Sequence, residues 1–163
     1  MAVDFVIKRA PGFRVATRIL KGTWPGDKAM KKEFAKVSAW ARTHDLMTGY
    51  WFFRDLDGPE TPIKKRRWEV GIQIRSSKPA RGEKGLSWKF FPPTTVVAVR
   101  FSPDAVSPSL VYYGLGGWFW WQKKEKKFRM AGPMREVYSG NPWKSKRAWA
   151  NTEIQAPVKR LSR

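Results

Sequence analysis

A glutamate set among aromatic residues, in a chain crowded with cations, is the feature of this sequence best suited to chemistry. Residues 83–163 hold five acids, Glu83, Asp104, Glu125, Glu136 and Glu153, against fifteen Lys and Arg. Glu136 stands in Met134-Arg135-Glu136-Val137-Tyr138, which reads as an inner strand. A carboxylate in such a setting takes one of three roles. It pairs with a neighbouring cation, it attracts a positively charged or hydrogen-bonding ligand, or in dry surroundings it takes a proton from water as a general base. The excess of cations makes the first role easy, and all three stay open at this point.

Tryptophan is the second chemical signal. The chain has 10 in 163 residues, and Trp88, Trp118, Trp120, Trp121, Trp143 and Trp149 fall in its second half. Successive residues of a helix turn by about 100°, so Trp118, Trp120 and Trp121 cannot share one face. Some of them line a cavity or meet solvent. Flat rings suit stacking on planar ligands or bases; for any single tryptophan, a place in the core is the plainer use.

Other chemistries lack their residues. There is no cysteine for a disulfide, a thiol nucleophile or a zinc site, and His44 alone builds neither a metal centre nor a triad. Gly114-Leu115-Gly116-Gly117 lies inside an expected helix instead of at a strand-to-helix turn, so it is no dinucleotide fingerprint. No serine occupies a nucleophile elbow. The run Lys123-Lys124-Glu125-Lys126-Lys127 reads as a helix end, and Lys64-Lys65-Arg66-Arg67 as a solvated hairpin end, with phosphate contact as the alternative. No cofactor and no metal are expected.

The elements that must position Glu136 come in two copies. Pro11, Val15, Ala16 and Arg18 match Pro93, Val97, Ala98 and Arg100 at an offset of 82, and Ile72-Gln73 matches Ile154-Gln155 at the same offset. Each copy reads as an extended segment, a helix and two more extended segments. In the first copy, strands are expected over 4–9 and 13–20, followed by a break at Thr23-Trp24-Pro25-Gly26 and a cap at Asp27. An amphipathic helix then spans 28–46 on Met30, Phe34, Val37 and Ala41, ended by Gly49, with strands over 50–54 and 68–74. In the second copy, a strand over 96–101 precedes a helix opened by Ser107-Pro108 and running to about Lys127. Its glycines are read as sites of close approach. Strands over 134–139 and 151–156 flank a loop over 142–150, and 158–163 is read as a frayed basic tail. The expectation is a single α+β domain over 1–163. It consists of duplicated βαββ units over about 5–75 and 86–158, a linker over about 76–85, an antiparallel sheet with two main helices on one face, and a ligand groove where the copies meet.

The net charge is +20. It divides evenly, since residues 1–82 carry 18 basic and 8 acidic groups and residues 83–163 carry 15 and 5, so no single tail explains it. Such a surface favours nonspecific contact with nucleic acid. The hydrophobic content of 42% suffices for a packed interior. No signal peptide or membrane span is read, and a cysteine-free chain of this kind is expected in the cytoplasm, as a monomer or homodimer without membrane contact.

The chain resembles the GyrI-like small-molecule-binding family, which includes the effector-binding domain of multidrug-responsive regulators. The resemblance rests on Pro11-Gly12-Phe13-Arg14-Val15-Ala16, on Ser107 to Trp121, on Arg135-Glu136-Val137-Tyr138 followed by Asn141-Pro142, and on Thr152-Glu153-Ile154-Gln155-Ala156-Pro157-Val158. It implies two βαββ halves related by a pseudo-twofold, with lipophilic aromatic compounds held in a groove whose floor is the glutamate matching Glu136. By the resemblance, Tyr50, Trp68, Tyr112, Trp118, Trp121 and Trp149 are candidate walls. Some stand-alone members of the family are hydrolases that open the cyclopropane ring of DNA-alkylating natural products, which makes Glu136 the candidate catalytic residue of an enzyme. The family's Gly-Pro-Tyr opening is here Ser107-Pro108-Ser109, and the strong basicity departs from the family. No helix-turn-helix segment precedes the unit. The expectation is therefore a stand-alone binding protein, with a hydrolase and a basic nucleic-acid- or gyrase-interacting protein as the alternatives.

Overall fold

A computed structural model describes residues 3–24, 28–77 and 81–162. Pro25, Gly26 and the expected cap Asp27 lie outside the described residues, as do 78–80 of the expected linker and the terminal residues 1, 2 and 163. The chain runs β1 (Val6–Ala10), β2 (Phe13–Lys21), α1 (Lys28–Thr43), β3 (Thr48–Asp55), β4 (Arg67–Ile74), β5 (Ser87–Phe91), β6 (Thr94–Phe101), α2 (Pro108–Lys124), β7 (Phe128–Met130), β8 (Arg135–Tyr138), α3 (Lys146–Ala150) and β9 (Thr152–Arg160). Every strand pairing within the two compact units described next is antiparallel, and the class is α+β. No helix among the described residues is long and apolar enough to cross a membrane.

One unit is Gly12–Pro92. Its strands lie in the order β5-β2-β4-β3, and α1 supplies the helix of a βαββ set. The side of α1 that the sequence assigned to the core is buried, through Met30, Phe34, Val37 and Ala41, and Trp40 joins them. Phe34 stacks on Trp51 of β3 with centroids 5.3 Å apart, and Trp51 lies beside Ile72 of β4. The helix stops at Thr43 and not at Leu46. Asp45 turns left-handed (φ 52°), and the Leu46 amide reaches back to the Ala41 carbonyl at 2.9 Å. His44 holds the Trp40 carbonyl at 2.9 Å through Nδ1, a purely local contact. On the sheet face away from α1, Phe13, Phe52 and Phe91 form an edge-packed cluster, with Phe52 and Phe91 5.1 Å apart. Gly71 is required there. A Cβ at this position would stand 2.5 Å from the Phe52 ring and 2.8 Å from Thr17.

The other unit joins residues 1–11 to 93–163. Its order is β1-β6-β9-β8, with β7 also against β9. Val97, Val99 and Phe101 of β6, Ile154, Ala156 and Val158 of β9, and Val111 and Leu115 of α2 make its core. Each unit thus has the βαββ order, and the edge strands are crossed with respect to the chain order. β1 leads into β2 but pairs with β6, and β5 leads into β6 but pairs with β2.

The offset of 82 is exact for β2 and β6 but not for the last strands. Val15 pairs with Gln73, whereas Val97 pairs with Ala156, so the offset has grown to 83 (156 − 73). The Ile72/Ile154 identity is therefore one residue out of structural register. β5 and β7 are additions to the elements expected, and α3 replaces part of an expected loop. Ser145 starts α3 by accepting the Ala148 amide at 3.1 Å. α2 ends at Lys124, three residues short of expectation, and Lys126 is left-handed with φ 53°. Of the segment expected to fray, 158–160 are strand instead: β9 continues to Arg160 because Phe128, Arg129 and Met130 pair with Arg160, Lys159 and Val158.

Only one of the three α2 glycines makes a close approach. A Cβ on Gly114 would meet the Phe5 ring at 3.2 Å, while Gly116 and Gly117 face open space. Replacing Gly117 by Ala should therefore raise stability by about 0.5–1 kcal/mol through restricted unfolded-chain entropy. A urea-unfolding midpoint lower than that of the unsubstituted protein would show a contact that this geometry lacks.

Candidate functional site

β8 is short, but all four of its residues are buried, Arg135 and Glu136 included. Side chains alternate across a strand. Glu136 lies beside Ile154, and Ile154 belongs to the core under α2, so Glu136 and Tyr138 face that helix. On α2, Val111 and Leu115 point into the core, and Tyr112, adjacent to Val111, reaches the carboxyl. The Tyr112 hydroxyl donates to Glu136 Oε1 at 2.6 Å, and the Tyr138 hydroxyl donates to Oε2 at 2.5 Å. Glu136 keeps 9% of its surface open.

Among the described residues, no Lys or Arg forms an ion pair with Glu136. Strand alternation supplies the reason. Arg135, next in sequence, projects to the opposite sheet face, where its Nε donates to Gln155 Oε1 at 2.7 Å. Gln155 in turn donates to Glu153 Oε1 at 2.6 Å, and Lys8 and Arg100 complete the set on Glu153 at 2.7 and 3.1 Å. One face of the sheet thus holds a compensated network, and the other holds a carboxyl with only hydroxyl partners.

The electrostatic consequences diverge. Burial pushes the Glu136 carboxyl up, and the two tyrosine hydrogen bonds oppose that rise without cancelling it. The Tyr138 phenol is pushed up by burial and by the charge of Glu136, so it stays a donor. Burial also acts to raise Glu153, but the hydrogen bonds from Gln155 and Lys8, the attraction of Lys8 and the hydrogen bond from Arg100 outweigh it and hold that carboxyl low. A group that is buried, raised and, among the described residues, without an ion-pair partner is suited to accept a proton or a cation.

Of the residues expected at the site, Glu136 and Tyr112 are in direct contact. Trp118 is half-buried beside the same core, with Phe119 at 5.0 Å and Phe128 at 6.2 Å. Trp121 is exposed under the Lys124 ammonium at 5.3 Å; at about 100° per residue it stands on the side of α2 opposite Tyr112. Trp149 lies on α3 and donates its Nε1–H to Asp104 at 2.9 Å. Tyr50 and Trp68 belong to the other unit, Tyr50 exposed on β3 and Trp68 buried between Phe53 and the Arg66 guanidinium. Tyr138 was not among the expected site residues. Its signal was its spacing of two from Glu136 on a strand, which places both on one face. A separate concavity of about 460 Å³ opens in the Gly12–Pro92 unit beside Phe13, Arg14, Gln73 and Arg75, and none of the expected residues lines it.

No protein-family model matches the sequence, and no curated protein matches it. Solved structures do match in fold. The C-terminal domain of EcmrR is similar over 99% of this chain and 100% of its own, with 20% identity and a TM-score of 0.77. A hydrolase from Listeria innocua aligns over 95% of this chain and 91% of its own, with 13% identity and a TM-score of 0.58. SAV2435, solved bound to tetraphenylphosphonium, aligns over 96% of this chain and 94% of its own, with 9% identity and a TM-score of 0.52.

Proposed function

From a chain with the GyrI-like fold, we propose a binding protein for planar, lipophilic aromatic compounds in which Glu136 meets the ligand's positive charge or hydrogen-bond donor. The observation that carries this reading is a buried carboxyl that, among the described residues, forms no ion pair, in a chain that has 33 Lys and Arg. A buried carboxyl that could pair so easily but does not is held at a cost. A ligand cation would supply a counter-charge, and the aromatic rings of Tyr112 and Tyr138 on the carboxyl suit a lipophilic body. The similar fold of SAV2435, which was solved with the lipophilic aromatic cation tetraphenylphosphonium, supports the cationic and aromatic part of this reading, though not planarity.

The raised carboxyl also favours a second reading, in which Glu136 is the general base of a hydrolase. Water would add to a carbon of a cyclopropane conjugated with a carbonyl: its proton passes to Glu136 as the O–C bond forms, and the pair of the broken ring C–C bond moves into the carbonyl, whose oxygen takes a proton from solvent to leave an enol or phenol. A base with a raised pKa is stronger once ionised, and the Listeria hydrolase shares the fold.

The test compares tetraphenylphosphonium with tetraphenylborate, a pair matched in shape and opposite in charge, by calorimetry and tryptophan quenching. A net charge of +20 taken alone favours the anion. We expect the cation to bind at micromolar concentration, about −8 kcal/mol, and the anion to bind at least about tenfold more weakly. Equal or tighter binding of the borate would sink the role given to Glu136.

A further inference from the structure

A helix on a protein surface is ordinarily polar on its outer side, and α2 is not. Its inner side is accounted for by Val111 and Leu115 in the core, with Tyr112, Trp118 and Phe119 against it. On the outer side, Leu110, Tyr113, Trp120 and Trp121 are 67%, 85%, 63% and 49% exposed. At about 100° per residue these four and Gly117 fall in one sector about 100° wide, facing away from Leu115 and running about 16 Å along the axis. Residues 108–124 contain no Asp or Glu. The stripe runs into Lys123 and Lys124 and then Lys126, Lys127 and Arg129. The Lys124 ammonium sits 5.5 and 5.3 Å from the Trp120 and Trp121 ring centroids.

We propose that this outer face of α2 docks on an anionic lipid surface, with Leu110, Tyr113, Trp120 and Trp121 entering the headgroup layer and the lysines meeting lipid phosphates. Exposed apolar area of this extent marks a contact surface. The occupant must accept apolar rings at one place and supply negative charge beside it. An anionic bilayer interface does both, and Trp, Tyr and Leu bordered by Lys is the composition of helices that lie in it. A second copy of the chain offers the rings a partner but meets the +20 charge with another +20. Single-stranded nucleic acid offers charge, but Trp120 and Trp121 are tilted 40° with centroids 6.3 Å apart and share a lysine above them. That is a poor platform for successive bases, and Leu110 adds nothing to stacking.

The test uses the full chain with vesicles of phosphatidylcholine alone and of phosphatidylcholine mixed with phosphatidylglycerol. Binding is read by co-sedimentation and by quenching of tryptophan with acyl-brominated lipid. The protein should bind the mixed vesicles and not the neutral ones. Trp120→Ala/Trp121→Ala should lose at least about tenfold in partitioning together with the quenching. Lys123→Glu/Lys124→Glu should lose about fivefold or more per lysine. Melting temperatures should stay unchanged, because all four side chains are exposed. The proposal fails if the mixed vesicles do not bind, or if the tryptophan variant binds as well as the parent, since charge alone would then suffice. It also fails if that variant abolishes a dimer seen in sedimentation, or if single-stranded DNA displaces the vesicles at physiological salt.

Discussion

Glu136→Gln should keep or raise the melting temperature at neutral pH while removing the preference for cationic ligands. The folded protein raises the carboxyl pKa above its ordinary value of 4.5, chiefly by burial. Between 4.5 and that raised value the native state holds a proton that the unfolded chain has released, so stability falls as pH rises through this window. Above it the full penalty of a buried charge persists. Glutamine does not titrate, so the variant's stability should vary less over this range. Its carbonyl still accepts from one tyrosine, and its amide can donate to the oxygen of the other. The attraction between a carboxylate and a phosphonium charge about 6 Å away is about 3 kcal/mol at an effective dielectric of about 20, so losing it lowers tetraphenylphosphonium affinity tenfold or more. If the protein is a hydrolase, turnover should drop by about 10²–10⁴, because an amide takes no proton from water. Melting curves across pH and calorimetry on the same variant give both readouts. A large drop in melting temperature with unchanged affinity would mean that Glu136 is structural.

Most of this frame was legible in the sequence because its signals are local. The spacing of Met30, Phe34, Val37 and Ala41 announces α1, Pro108 marks the start of α2, and β-branched residues mark β6. What was missed depends on partners distant in sequence. β5 is strand because β2 offers it an edge, and Lys159 and Arg160 are strand because β7 folds back beside them. No property of 158–163 by itself distinguishes a tail from a strand. α3 is one short turn, below the length at which periodicity speaks. Glu136 was visible as a carboxylate among aromatics, but its pairing was not. The choice between salt bridge and free carboxyl turned on which sheet face Arg135 takes and on Gln155 waiting there. The tryptophans show the same limit. Spacing established that Trp118, Trp120 and Trp121 could not all be core, and only the packed helix shows that Trp118 is the one that turns inward.

Glu69 is the counterpart that defines what a structural buried carboxylate looks like in this protein. It is 1% exposed on β4, yet Arg54 Nε reaches Oε1 at 2.8 Å and Lys89 Nζ reaches Oε2 at 2.6 Å. Both oxygens are thus matched by cations, Arg54 from the neighbouring strand β3 and Lys89 from β5, which lies beyond β2. Arg54 is fixed further by lying 4.6 Å over the Phe91 ring. Removing one partner of such a set leaves the others partly buried and uncompensated, whereas replacing the set by apolar groups of similar volume does not. Glu69→Ala is therefore expected to destabilise the fold by about 3 kcal/mol, measured as a shift of the urea midpoint at constant slope. Arg54 and Lys89, with side chains 23% and 36% exposed, can turn partly to water, which keeps the loss near the lower end of the range. Glu69→Leu combined with Arg54→Met and Lys89→Met should recover most of it, because the desolvation cost leaves with the charges. Non-additivity of the single changes is the signature that separates an ion-pair set from lost packing. If Glu69→Ala costs less than about 1 kcal/mol, the pairs behave as solvated surface contacts, and burial alone could not then be what sets Glu136 apart.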